Sequence, residues 1–353
     1  MLRKERVLDI AELKPHHLIE FIKSTWGIHP KKMAALIEGS ARCFIIENES
    51  GRFFFKVYQD EFNEDTLRNE IYICDFLSKK GFSVSTFLKT NAGTFIERFC
   101  HHWCTLQNYI DGFTFQKFEV PRPLLLDSIR VLANIHIALA EFPLQLPTGF
   151  EQAWFLQWSK DSAIEKYHHL LALLESSDEN YRKISIDFET KSNLIRAFDP
   201  TIYDFSSLTI ENSHGDYNAL QLIFSSDKVK AVVDFSSCAK LPICWEIIRS
   251  YTLSSPECKE AIIDTDNFVH YVKEYLQIKK IEKTDLELMP YFYLFTLIRS
   301  SFGYKSYIEK RKNGTPIDRK DQNALAFAAW RTAMCKWLFK HADFLSSRLK
   351  KII

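Results

Sequence analysis

Asp216 lies in the stretch His214-Gly215-Asp216-Tyr217-Asn218-Ala219-Leu220-Gln221, and eighteen residues further on Asp234 stands within Val232-Val233-Asp234-Phe235-Ser236. One carboxylate can receive the proton of a hydroxyl nucleophile, and the other can hold a hard divalent cation through oxygen. That division of labour suits phosphoryl transfer, which asks little covalent chemistry of a protein and much neutralisation of phosphate charge. Taken alone, Asp234 could be a turn-forming acid at a strand end, but its spacing from Asp216 favours the metal-binding role. His214 is better suited to tying the loop together by hydrogen bonds, since acid-base work by it would duplicate Asp216.

A second constellation lies upstream. Phe53-Phe54-Phe55-Lys56-Val57-Tyr58 alternates so that Lys56 shares a strand face with Phe54 and Tyr58, while Phe53, Phe55 and Val57 point the other way. Lys56 taken alone could be an edge-strand lysine whose ammonium reaches solvent. In the next helix Leu67, Ile71, Cys74 and Leu77 define an apolar stripe, and Glu70 falls on it. A carboxylate in that position demands a cation, and Lys56 stands fourteen residues before it.

These residues must be positioned by two kinds of structure. Residues 11–26 predict a short helix, and Met33 to Asn48, Arg52 to Gln59, Gly93 to Phe99 and Trp103 to Ile110 predict short strands, with a helix over Asp65 to Lys80 stopped by Gly81. From Pro121 the pattern turns helical: Leu125, Ile129, Leu132, His136 and Leu139 form one stripe. Further helices are expected over 152–176, 259–277, 285–311 and 320–349. In the last of these Phe327, Trp330, Met334, Trp337, His341 and Phe344 recur at helical spacing and are expected to be core. The fold class expected is α+β, with a small strand-rich lobe over residues 1–108 and a larger, mainly helical lobe over 109–353.

The 353 residues suffice for a substantial core. Forty-six basic against forty-five acidic residues leave a formal charge of +1, so no global field draws nucleic acid or an anionic membrane. The polar N-terminus and the lack of an uninterrupted apolar run of spanning length predict a soluble, cytoplasmic chain. Eight irregularly spaced cysteines predict reduced thiols in place of a disulfide framework. Cys100-His101-His102-Trp103-Cys104 has zinc-like composition, but strand alternation would send Cys100 and Cys104 to one face and His101 to the other, and no second ligand pair follows.

HGDYNALQ…VVDFSS resembles the HGDxxxxN…IDF pair of the aminoglycoside phosphotransferase and choline kinase family, which has a two-lobed protein-kinase-like fold. The resemblance runs from about residue 20 to 310 and looks nearest to homoserine-kinase-like and spore-coat-kinase-like members. It implies ATP as phosphate donor, with GTP not excluded, Mg2+ as the metal, and a small hydroxylated metabolite or antibiotic-like molecule as acceptor. It further implies that Asp216 is the base and that Gln221 and Asp234 ligate the metal, although the family usually has asparagine where Gln221 stands. Lys56 and Glu70 resemble the lysine and glutamate that clasp the nucleotide phosphates. Gly39 and Ser40, in Glu38-Gly39-Ser40-Ala41-Arg42, occupy the place of the nucleotide-covering turn, which an ordinary hairpin turn would equally explain. Leu106 to Gly112, with Gln107 and Tyr109, resembles the hinge whose backbone meets adenine. Glu246 stands where the family commonly has an aspartate that supports the catalytic loop. Trp154, Trp158, Tyr167 and the run Tyr291 to Phe295 could line a pocket or cage an amine, though core packing is the more common role. Two other readings fit the motifs: a catalytically weak nucleotide-binding pseudokinase or scaffold, suggested by Gln221, and a kinase-like enzyme that modifies protein.

Overall fold

Short alternating runs separated by tight turns give the first part of the chain its sheet. The computed structural model describes residues 15–36, 42–59, 62–149 and 159–353, and these divide into two units: residues up to 111 with 231–236, and 112–230 with 237–353.

In the first unit, helix α1 (Pro15–Trp26) precedes strands β1 (Lys32–Leu36), β2 (Arg42–Asn48) and β3 (Gly51–Val57), then α2 (Glu64–Lys79), β4 (Glu97–Phe99) and β5 (His102–Asn108). All pairings are antiparallel in the order β1-β2-β3-β5-β4. Phe53, Phe55 and Val57 on β3 pack with Leu18, Ile22 and Trp26 of α1 and with Leu106 of β5. Because β3 is the central strand, Lys56 on its other face is no edge residue, which overturns the snorkelling alternative. Asn63 caps α2 by accepting the amide of Thr66 (2.9 Å), and Leu67, Glu70, Ile71, Cys74 and Leu77 are its buried face. Cys100 does not continue the strand alternation expected of it: it is exposed and left-handed (φ 57°) in the turn before β5, whereas Cys104 is buried. The later segment 231–236 joins this unit where the Val232 amide donates to the Ser83 carbonyl (3.1 Å).

The second unit contains α3 (Arg122–Ala140), α4 (Lys160–Ala172), α5 (Tyr181–Ala197), β6 (Ile210–Ser213), β7 (Leu222–Phe224), β8 (Val229–Val232, whose last two residues belong to the first unit), β9 (Ala239–Pro242), α6 (Ile243–Ser254), α7 (Thr265–Leu276), α8 (Lys283–Arg299), α9 (Tyr304–Lys312) and α10 (Arg319–Lys350). β6 pairs with β9, and β7 with β8. By length and hydropathy α3 could cross a membrane. Its stripe Leu125, Ile129, Leu132, His136 and Leu139 is buried, and it is fastened to α7 by Arg130 with Glu274 (2.6 Å) and His136 with Tyr275 (2.8 Å).

Three helical expectations need correction. The run 285–311 is two helices, broken at Gly303: there φ is +83° and an added Cβ would stand 2.3 Å from the Ala324 carbonyl oxygen, so only glycine fits. Fully buried Lys191 closes the end of α8, its Nζ donating to the carbonyls of Leu297 (3.0 Å) and Ser300 (2.6 Å). Of the helix expected over 152–176, residues 152–158 lie outside the described residues and the described part is α4, while α5 went unpredicted. On α10 the buried face is Leu325, Ala328, Thr332, Cys335, Leu338, Ala342, Leu345 and Leu349. Of the aromatic stripe expected in the core, only Met334 is fully buried; Phe327, Trp330 and Trp337 are half-buried, and Phe344 is exposed. Two stripes at the same period run along this helix, and tertiary packing selects the smaller side chains, which allow α8 to approach closely.

Candidate active site

In the first unit β3 presents Lys56, 5% exposed, and α2 presents Glu70, 1% exposed. The Lys56 ammonium donates to Asp234 Oδ1 (2.6 Å) and stands 3.8 Å from Glu70 Oε1. Glu70 Oε2 accepts from the Tyr58 hydroxyl (2.8 Å), so the glutamate is held from two directions. Burial would drive the lysine toward its neutral form, but the charges of Asp234 and Glu70 outweigh that and hold its pKa above the ordinary value. Burial pushes the Glu70 pKa up more than Lys56 pulls it down. Asp234 sits in the left-handed region (φ 64°), and its Oδ1 accepts the Ser236 hydroxyl (2.6 Å). Aspartate tolerates that backbone better than most residues, and such strain collects where a side chain must be aimed.

In the second unit the loop after β6 carries Asp216, whose side chain is 34% exposed. Arg249 of α6 donates Nη2 to Asp216 Oδ1, and Gln221 donates Nε2 to Oδ2 (3.0 Å). Glu246, one helical turn before Arg249 and fully buried, accepts the backbone amides of His214 (3.0 Å) and Gly215 (2.5 Å). His136 Nε2 lies 2.9 Å from the same carboxylate. Burial opposes ionisation of Glu246, yet the hydrogen bond and charge of His136, the charge of His214 and the Gly215 amide hold its pKa below the ordinary value. The amide of Asp216 donates to His214 Nδ1 (3.3 Å), so His214 does tie the loop. Gly215 has φ +82°, and an added Cβ would lie 2.0 Å from the Ser237 carbonyl oxygen. No other residue fits there.

The structure thus brings Lys56, Glu70 and Asp234 together in one unit, and Asp216 and Gln221 together in the other. Gly39 and Ser40 lie outside the described residues, as do Trp154 and Trp158. Gln107 is buried in β5 opposite Phe54. Tyr109 lies beneath the Arg52 guanidinium (4.4 Å to the ring centre), and the amides of Asn108 and Tyr109 already donate to the carbonyls of Thr86 and Arg52. Phe292, Tyr293 and Phe295 are core, and Tyr167 is buried with its hydroxyl on the Ile298 carbonyl. Sequence reasoning gave no role to Arg249 or to the pairing of His136 with Glu246. The spacing Glu246-x-x-Arg249 placed both side chains on one helix face beside the loop, which is the signal that could have revealed the arginine.

Residues 37–273, well over half of the chain, match the model of the phosphotransferase enzyme family. The chain belongs to that family. A homoserine kinase of Methylobacterium nodulans is 21% identical over 192 residues, 54% of this chain and 54% of that protein, so this member spans about half the length of the curated relative it matches. Among solved structures it is similar to an amicoumacin kinase in complex with AMP-PNP, Ca2+ and its antibiotic (12% identity, 95% of this chain and 94% of that one, TM-score 0.61). It is also similar to a microcompartment-associated aminopropanol kinase (11% identity, 94% and 99%, TM-score 0.62). At these identities the likeness shows the fold: an antiparallel sheet followed by a largely helical part, of the protein-kinase-like kind.

Proposed function

We propose that this family member is an ATP- and magnesium-dependent kinase that phosphorylates a hydroxyl of a small molecule. The observation that carries the reading is the buried Lys56 ammonium held by Glu70 and by left-handed Asp234, a cation kept charged and aimed. Phosphate oxygens are its natural ligand. Asp216 takes the proton of the acceptor hydroxyl as that oxygen bonds to the γ-phosphorus. The bond from this phosphorus to the β,γ-bridging oxygen breaks, and ADP leaves. Asp234 and Gln221 offer carboxylate and amide oxygen, the hard donors that magnesium prefers, so the donor chemistry fits. Bound there, the metal would neutralise charge on the phosphates. Gly39 and Ser40 would cover the phosphates, and the backbone near Gln107 and Tyr109 would meet the base, with GTP as an alternative donor. The AMP-PNP in the amicoumacin kinase complex supports the choice of nucleotide. The +1 net charge supports a small-molecule acceptor in preference to nucleic acid or membrane.

The test is thermal stability with ATP, with and without magnesium. At a hundredfold excess over its dissociation constant the nucleotide should stabilise by roughly 2.7 kcal/mol, and Asp234→Ala should abolish the magnesium-dependent part. No shift in wild type would sink the reading. One observation favours a second reading, a weakly catalytic nucleotide-binding protein: Gln221 and Arg249 both hold the Asp216 carboxylate. A large gain in turnover from Gln221→Asn would support that alternative.

A further inference from the structure

Near the aromatic residues that α10 leaves out of the core stand two cations, Lys117 and Arg331, to which the proposed reaction gives no part. The Lys117 ammonium lies 3.7 Å from the centre of the Phe327 ring, and Phe327 is stacked on Trp330 (5.4 Å, 11° between planes). Arg331, on the same helix, has its guanidinium 5.8 Å from the ring centres of both Phe302 and Phe327. Arg249 lies 5.3 Å from the Trp245 ring, and its Nη1 is buried with no hydrogen-bond partner among the described residues. Neither Lys117 nor Arg331 makes an ion pair among the described residues. Lys117 is also fixed with care: its neighbour Phe118 is left-handed (φ 66°), donates its amide to the Leu253 carbonyl (3.2 Å), and packs its ring on Trp330 (5.0 Å). A bulky aromatic residue pays for that backbone in strain, which points to a positioned neighbour.

We propose that Lys117, Arg249 and Arg331, beside Asp216 and walled by Phe327 and Trp330, form the subsite for an oxyanion carried by the phosphate acceptor, a carboxylate or a phosphate. The inference rests on the kinase reading and names the substrate class for it. Arg249 is paired with Asp216 and feels the Glu246 charge as well, so the excess of positive charge rests on Lys117 and Arg331, and keeping those two without ion-pair partners is costly unless a ligand supplies the anion. Burial and mutual repulsion accordingly lower the pKa of both Lys117 and Arg331. Guanidinium forks recognise oxyanions in two-pronged geometry, and Arg249 has Nη1 to offer while Nη2 holds the base. An aminated acceptor would meet repulsion here.

Binding of five probes read by tryptophan emission tests the assignment: γ-hydroxybutyrate and glycerol 3-phosphate as oxyanions, 1,4-butanediol and glycerol as neutral counterparts, and 4-amino-1-butanol as the cation. Wild type should bind at least one oxyanion tenfold or more tightly than the neutral and cationic probes, and which one it prefers distinguishes carboxylate from phosphate. Lys117→Gln and Arg331→Gln should each remove most of that preference. Arg331→Lys, which keeps the charge, should restore part of it, separating recognition from loss of fold. Equal binding of the neutral or cationic probes, survival of the preference in both glutamine variants, or no binding of either oxyanion would overturn the proposal. So would a loss in those variants confined to ATP. Stabilisation by ATP and magnesium, measured on the same samples, reads the parent proposal: retained without oxyanion preference, it leaves the kinase standing and this inference fallen.

Discussion

At the scale of single residues, the catalytic proposal depends on how Asp216 is held. Arg249 on one oxygen and Gln221 on the other orient the carboxylate while leaving about a third of the side chain exposed. Asparagine keeps the shape and loses the proton acceptor, so Asp216→Asn should lower kcat at least about a hundredfold while the stabilisation by ATP persists. Turnover near the wild-type rate would remove Asp216 from the role of base. Lys117 makes a separate prediction. Burial lowers its pKa to about 8, Asp216 raising it and Arg249 and Arg331 lowering it further. It is charged below that pH and neutral above, so the KM for an oxyanion-bearing acceptor should climb as pH passes 8. Lys117→Arg should move that climb upward, and a flat KM between pH 6 and 10 would contradict the assignment.

At the scale of elements, the turn between β6 and the following loop is built on Glu246 at the start of α6. Its two oxygens take the amides of His214 and Gly215, and His136 of α3 completes the site. Replacing it by glutamine puts an amide donor where two amides already donate, which should cost about 1–3 kcal/mol in urea unfolding. The sign with pH follows from its lowered pKa. The stabilisation is present above the ordinary glutamate range and lost as pH falls through and below it, so wild type and Glu246→Gln should converge in stability on acidification. Parallel curves down to the acid transition would mean that the carboxylate charge is not what α6 contributes. How legible these elements were depended on period: the α2 stripe with Glu70, and the α3 stripe, are local patterns that survive into the structure. α10 carried two competing stripes of one period, and nothing local to the helix could rank them.

At the scale of the whole molecule, no disulfide joins any of the eight cysteines, and Cys100 is the exposed one. Thiol titration of the native protein should therefore show about one fast-reacting group, with the rest released on unfolding, and Cys100→Ser should remove the fast phase; several fast thiols in the native state would contradict the burial of the others. The sequence by itself determined the residues of the motif, the strand face of Lys56, the burial of Glu70 and the order of strand-rich and helical regions. Each of those follows from identity, spacing or a period of two or of about 3.6 residues. Only the tertiary structure decided that β3 is a central strand, that Arg249 clasps Asp216, and that Lys117 and Arg331 meet over one aromatic wall. The physical reason is separation along the chain: Lys117 and Phe327 share no local pattern, and their contact exists because the chain before α3 is fastened beside α10 through Phe118 and Trp330. Local chemistry names the groups that can react, whereas packing over long separations decides which charges gather without partners, and so what the site can receive.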